Sequence, residues 1–207
     1  MNKIDHLIFA VPDLEMGRDI FEERFGVRAI LGGEHPDYGT HNAQLSLGPQ
    51  MYLEIIAPLP GIDISGREML FGPNGFEQPR LVTWVLRCES IESTVESATL
   101  VGVRLGAIQP GKRVKPDGTV VSWTLTDPYA MPLNGAVPFL INWGNTPHPA
   151  PQAPGIGQFS GMRIQHPQPE QVRKALTALG TEVEVEEAET FQLIATIKTA
   201  GGEVEIR

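Results

Sequence analysis

The sequence predicts an α+β fold of three tandem βαβββ modules, over residues 1–60, 79–145 and 159–207, the third shorter than the other two. Three observations carry that expectation. The phrase Phe25-Gly26-Val27-Arg28 is echoed by Val101-Gly102-Val103-Arg104 and, more faintly, by Leu179-Gly180-Thr181-Glu182, and a phrase recurring at near-constant spacing marks an internal repeat. Each of these glycines closes a stretch of helical periodicity. Each helical stretch follows one strand-like run and precedes three more.

In the first module, the run to Val11 alternates as a strand does, and Asp13 can cap a helix whose apolar positions Leu14, Gly17, Ile20, Phe21 and Phe25 fall near one face. Gly26 then supplies a left-handed stop. Strand candidates follow at residues 27–31, 41–47 and 50–57, the last two joined by Gly48-Pro49. The second module opens with a strand at 81–87. Ser90 can cap a helix carrying Ile91, Val95 and Ala98, which ends before Gly102. An ill-defined strand at 104–108, an enlarged Gly/Pro-rich loop at 111–118, and strands at 120–126 and 137–142 complete it. Gln168-Pro169 opens the third helix, with proline at the first helical position and Val172, Ala175, Leu176 and Leu179 before Gly180. Strands at 182–186, 192–199 and 203–206 follow. Residues 58–79 separate the first two modules, and the proline-rich 146–154 reads as a stiff, extended linker.

With 41% hydrophobic residues in 207, the chain can build a substantial core. Its 16 Lys plus Arg against 25 Asp plus Glu give a net charge of −9, which disfavours nucleic acid and anionic membrane as bulk partners. The apolar runs are far shorter than the about 20 residues of a membrane span, and the first residues do not read as a signal peptide. The single cysteine, Cys88, excludes an internal disulfide and a cysteine-based zinc cluster, which suits a reducing cytoplasm. No phosphate-binding Walker sequence, His-Glu-x-x-His helix or Gly-x-Ser-x-Gly elbow occurs. Gly155-Ile156-Gly157 through Gly161 misses the dinucleotide fingerprint by one residue and follows a linker rather than a strand.

The repeated βαβββ pattern, together with Ile4-Asp5-His6-Leu7, Gly39-Thr40-His41-Asn42 and Tyr52-Leu53-Glu54-Ile55, resembles the glyoxalase-like branch of the vicinal oxygen chelate superfamily. The resemblance implies that modules one and two pair around a cavity holding the functional site. It implies a divalent metal ion (Zn, Mn, Fe, Ni or Mg) bound by residues from the first and fourth strands of both modules, and a reaction of isomerase, lyase or dioxygenase type. A different class, a metal-free protein that binds or sequesters a small molecule in the same cavity, is the alternative.

Strand parity reaches the same place without the family. Leu7, Phe9 and Val11 form one face of the first strand, leaving Ile4, His6, Ile8 and Ala10 on the other. In the fourth strand Met51, Leu53, Ile55 and Ala57 are apolar and belong under the helix, so Tyr52, Glu54 and Ile56 face away. His6 and Glu54 therefore share a face, either as two metal ligands or as a carboxylate orienting a general-base imidazole. Repeat alignment makes Thr83 the counterpart of His6 and Asn142 the counterpart of Glu54, a set with only two good ligands. In the third module Gly161 and Glu205 take those places, and the absent side chain at Gly161 argues against a site there. Tyr52, Asn142, Thr83 and His41 are candidate substrate contacts, although parity sets His41 on the helix side with Ala43, Leu45 and Leu47. His35 and His148 stand among prolines and read as exposed. Arg113, helped by Lys112, is placed in the basic loop to clamp a substrate carboxylate or phosphate. The odd module leaves a sheet edge and face to cover, by packing on the first two modules or, the favoured expectation, by pairing in a homodimer.

Overall fold

The computed structural model describes residues 2–61, 70–72 and 74–207. The first module runs β1 (Lys3–Ala10), α1 (Leu14–Phe25), β2 (Ile30–His35), β3 (Thr40–Gly48) and β4 (Met51–Pro58). The second repeats the order as β5 (Arg80–Arg87), α2 (Ile91–Leu100), β6 (Ile108–Val114), β7 (Val120–Thr126) and β8 (Phe139–Asn142). Together these eight strands form a closed barrel in the order β1-β4-β3-β2-β6-β7-β8-β5. Barrels of this size are filled by side chains or hold one small ligand. The two seams differ. Between the modules, β1 and β5 pair antiparallel along nearly their whole length, from Lys3 with Arg87 to Ala10 with Arg80, whereas β2 and β6 meet only at Glu34 with Val114.

Helix α1 forms as its sequence dictates: the Asp13 carboxylate accepts a hydrogen bond from the Met16 N–H, and Gly26 adopts φ 68° to end it. Its buried Leu14, Gly17 and Phe21 pack on the outward face of the barrel. That outer core contains Leu7, Phe9, Leu53, Ile55, Trp84 and Leu86, while a separate inner core inside the barrel contains Ile8, Tyr52, Ile56, Val85, Ile141 and Trp143. The two clusters are the two faces of alternating strands.

Two strands lie away from their expected places. The run expected at 27–31 is displaced to Ile30–His35, where Gly32-Gly33 forms an irregularity opposite β3. Of the basic stretch read as a loop at 111–118, residues 111–114 belong to strand β6, and a turn at Lys115 to Thr119 follows. Gly111 belongs in that strand because Trp123 of β7 lies against it: a Cβ there would stand 2.3 Å from Trp123 Nε1.

The third module, β9 (Gln158–His166), α3 (Pro169–Ala178), β10 (Glu184–Glu187), β11 (Gln192–Thr199) and β12 (Gly202–Ile206), keeps the βαβββ order but forms its own sheet, β10-β9-β11-β12. In the first module the first strand lies beside the fourth. Here β10 and β11 flank β9, which leaves β12 at the edge. Glu205 is therefore not placed as Glu54 is; it pairs instead with Arg163 at 2.7 Å and Arg207 at 2.8 Å. Ile164, Leu193, Ala195 and Ile197 join Val172 and Leu176 of α3 in the outer core of the barrel. The cover that this sheet face needs is thus supplied within one chain. Among the described residues no helix is long and apolar enough to cross a membrane.

Candidate functional site in the barrel

His6 and Glu54 project into the barrel from adjacent strands, β1 and β4, whose register sets His6 beside Tyr52 and Ile8 beside Glu54. His6 Nε2 lies 3.4 Å from Glu54 Oε2. Its ring stacks on Tyr52, with centroids 4.4 Å apart and planes 22° off parallel. Parity alone would send Asp5 outward, but the β1–β5 register passes from Ile4 opposite Leu86 directly to His6 opposite Val85. This bulge makes Asp5 the extra residue and aims it inward as well. The same shift packs Ile4 against the outer core, correcting its expected place on the cavity face.

Asp5, with no exposed surface, is the hub of a buried network. Its Oδ1 lies 2.7 Å from His6 Nδ1, and its Oδ2 accepts hydrogen bonds from Trp143 Nε1 at 3.1 Å and His148 Nε2 at 3.2 Å. The Ala150 N–H donates to His148 Nδ1, so the His148 proton sits on Nε2, facing Asp5. On the far side of His6, Glu54 accepts a hydrogen bond from Asn42 Nδ2 and stands 3.8 Å from His35 Nε2. His35 Nδ1 is 3.1 Å from Thr40 Oγ1.

Charge distribution follows from this wiring. Burial would raise the Asp5 pKa, but hydrogen bonds from His148 and His6, with the His6 charge, hold it far below the usual carboxylate range. Burial likewise opposes ionisation of Glu54. The His6 hydrogen bond and charge, His35 and Asn42 outweigh it and bring Glu54 down to about 2. Burial lowers the His6 pKa, yet the two flanking carboxylates raise it by more, and each ring nitrogen faces a carboxylate that can only accept, an arrangement that favours the doubly protonated ring. His35 goes the other way: burial first, with Arg113 and His6 as like charges, takes it to about 4 against the pull of Glu54, and it is neutral at pH 7.

Arg113 enters the barrel from β6. Along that strand Lys112 points to solvent and pairs with Asp37 at 3.5 Å, while Arg113 points inward and is only 3% exposed. The Arg113 Nε has no hydrogen-bond partner, and no carboxylate among the described residues pairs with its guanidinium. Gly32 makes room for it: a Cβ at that position would stand 3.2 Å from Arg113 Nη1 and 2.2 Å from Asn42 Oδ1. Arg113, His6, His35, Tyr52 and Glu54 line one cavity of about 50 Å³, walled chiefly by apolar groups including Phe71, Trp123 and Phe139.

Not every expected contact belongs to this cavity. Asn142 lies on the opposite face of β8, where its Nδ2 donates to the Glu89 carbonyl and its Oδ1 accepts from the Gly144 N–H. The register explains the error. Ile8 pairs with Glu54 in module one, and Val85, facing the barrel as Ile8 does, pairs with Phe139 in module two. Phe139, not Asn142, therefore occupies the place of Glu54. Thr83 is inside the barrel wall but donates to the Gly135 carbonyl and does not line the cavity. His41 is outside, in a surface groove with Leu14, Leu31 and Glu34. The two histidines read as exposed are not: His35 is 5% exposed in the cavity wall, and His148 closes over Asp5 and Tyr52. Asp5, His35 and His148 were thus missed. Asn42 was legible only through strand parity, which sets it with Gln44 on the cavity side.

These residues do not fit a divalent ion. Both ring nitrogens of His6 are engaged by carboxylates, Phe139 stands where a second acid would be needed, and a guanidinium with no carboxylate partner among the described residues shares the cavity. Among the described residues no group of three or more His, Cys, Asp and Glu could hold one.

A family model described as a glyoxalase-like domain matches residues 4–180. The fold is similar to that of a hypothetical protein from Staphylococcus aureus, at 13% identity over 100% of this chain and 99% of that one, with a TM-score of 0.70. It is also similar to a mutant 4-hydroxymandelate synthase from Streptomyces coelicolor, at 14% identity over 99% of this chain and 62% of that one, with a TM-score of 0.52. Methylmalonyl-CoA epimerase from Mycobacterium tuberculosis matches at 17% identity over 67% of this chain and 84% of its own, with a TM-score of 0.42. No curated protein sequence matches significantly. At these identities the likeness to solved structures is one of fold, and it includes the third module in the first of them.

Proposed function

Since this chain belongs to the glyoxalase-like domain family, we propose that its barrel is a small-molecule site working without a metal, in which Arg113 holds an anionic, oxygen-bearing metabolite and the His6–Glu54 pair moves a proton on it. The observation that carries this reading is the buried Arg113 guanidinium, without a carboxylate partner among the described residues, in the same cavity as His6 and Glu54. A buried cation without a partner is costly to the fold, and a ligand carboxylate is the partner whose geometry suits it. The chemistry is of isomerase or lyase type. Glu54 accepts the proton of a C–H bond beside a carbonyl, the C–H electron pair becomes the C=C bond of an enol, and the His6 imidazolium gives its proton to the carbonyl oxygen. Asp5 and Glu54, one at each ring nitrogen, raise the His6 pKa and so favour the charged ring that the donation needs. The single, buried Cys88 suits a cytoplasmic setting.

A second reading, binding or sequestration without turnover, is favoured by one observation: at a pKa of about 2, Glu54 is a weak base. Deuterium exchange separates the two. Wild-type protein incubated in D2O with pyruvate, a short oxo-acid with an enolisable C–H, should catalyse exchange of the C–H beside the carbonyl, and Glu54→Gln should stop exchange while Arg113-dependent binding of the carboxylate persists. Arg113-dependent binding with no exchange above the uncatalysed rate would establish the second reading in place of the first.

A further inference from the structure

We infer that the ligand of this cavity is a compact monocarboxylate of two or three carbons carrying one further oxygen, a short oxo- or hydroxy-acid. This inference rests on the anion-site reading above and narrows it by size, charge and wall chemistry.

Size is the first constraint. The cavity volume is about 50 Å³, against roughly 150 Å³ for a cavity that admits benzene and roughly 10 to 15 Å³ for each water-sized group. That leaves room for roughly three to five such groups, which matches the skeleton of a two-carbon oxo- or hydroxy-acid, makes a three-carbon acid the upper limit, and is too little for an aromatic ring. Leu70, Phe71 and Pro128 belong to the wall, so a bulky thioester would have to displace them.

Charge is the second. Asp5 has Arg87 as well as His6 beside it, with Arg87 Nε 4.0 Å from Oδ2 and His6 Nδ1 2.7 Å from Oδ1, and Glu54 has His6 Nε2 at 3.4 Å, so the two carboxylates are matched by Arg87 and His6. His35 is neutral. Arg113 is left as the one unpaired positive group lining the cavity among the described residues. One guanidinium balances one negative charge; a dianion would bring an uncompensated charge toward Glu54. Wall chemistry is the third. Apart from Arg113 and the groups around Glu54, most lining residues are apolar, among them Ile8, Leu125 and Ile141. They offer no partners for the several hydroxyls of a sugar acid. The further oxygen is placed by the His6–Glu54 pair, with the hydroxyl-bearing Tyr38, Thr40 and Tyr52 in the same wall.

The test is titration calorimetry of the full-length protein at pH 7 with acetate, glycolate, glyoxylate, acetamide, benzoate and inorganic phosphate. Glycolate or glyoxylate should bind at least tenfold more tightly than acetamide, benzoate or phosphate, and Arg113→Met should weaken that binding at least tenfold. The ranking on wild-type protein decides the matter even if the variant fails to fold. Benzoate or phosphate binding as tightly as the short acids, and weakened by Arg113→Met, would overturn the size and charge inference while leaving the anion-site reading standing. Absence of binding by any of these anions would overturn both.

Discussion

Replacing Arg113 with methionine should make the ligand-free protein more stable while destroying its anion site. The guanidinium is 3% exposed and its Nε is unpartnered. An unsatisfied buried polar group costs about 1–3 kcal/mol, more where it is charged. Methionine keeps most of the aliphatic stem, adapts its shape to the space, and has no donor to strand. The net gain is therefore set by the removed penalty, about 1–3 kcal/mol. At roughly 2–4 °C per kcal/mol for a chain of this size, Tm should rise by about 2–12 °C. The measurements are urea unfolding and calorimetric scans in a buffer free of carboxylate and phosphate, on wild type and variant together. With a saturating short acid the order should contract, because ligand raises only the wild-type Tm. A fall in Tm of similar size in the variant would refute the reasoning, since it would mean that Arg113 holds the barrel together rather than costing it stability. Such an exchange of stability for binding is expected where a buried charge serves a ligand.

Other consequences are as direct. Glu54 has its carboxyl pKa lowered from 4.5 to about 2, so it adds stability that is full above pH 4.5 and lost as pH falls toward 2, about 3 kcal/mol in all with the His6 interaction counted once. Glu54→Gln should flatten that limb in urea titrations at pH 5, 4 and 3; parallel wild-type and variant profiles would show that Glu54 is not the group responsible. Asp5→Asn removes one of the two anions that raise the His6 pKa, so the His6 ring signal should titrate at lower pH by NMR, with a stability loss of about 3 kcal/mol; an unmoved titration would dispose of the network as described. Gly111→Ala drives a Cβ to 2.3 Å from Trp123 Nε1 and should cost about 1–3 kcal/mol in unfolding experiments. A neutral result there would mean that the β6–β7 contact is looser than its geometry.

The repeat made the fold legible. Helix caps and stops at Asp13, Gly26 and Pro169 stand where the residue types require them, and the apolar alternation of Leu7, Phe9, Leu53 and Ile55 sorted the strand faces because each face packs into a different core. What stayed hidden was register. A bulge at Asp5 turns a residue that parity sends outward into the hub of the site, and nothing in the sequence around Asp5 distinguishes a bulge from regular strand. The mistaken equivalence of Asn142 with Glu54 has the same origin, since aligning apolar phrases does not fix which residues pair across the barrel. Arg113 was found for a reason that proved incomplete. Its charge was legible, but its direction came from strand β6, which Gly111 and the neighbouring basic residues disguised as loop. His35 and His148 were misread because proline neighbours suggest exposure, whereas here the chain beside each proline closes an end of the barrel network.

The central claim, a metal-free anion site built on Arg113, is tested most directly by titrating glycolate into protein that has been dialysed against a chelator and shown by elemental analysis to be free of divalent ions. The account predicts one glycolate bound per chain under those conditions, with no gain in affinity when zinc, manganese, iron, nickel or magnesium is restored. Binding that appears only after an ion is added back would contradict it.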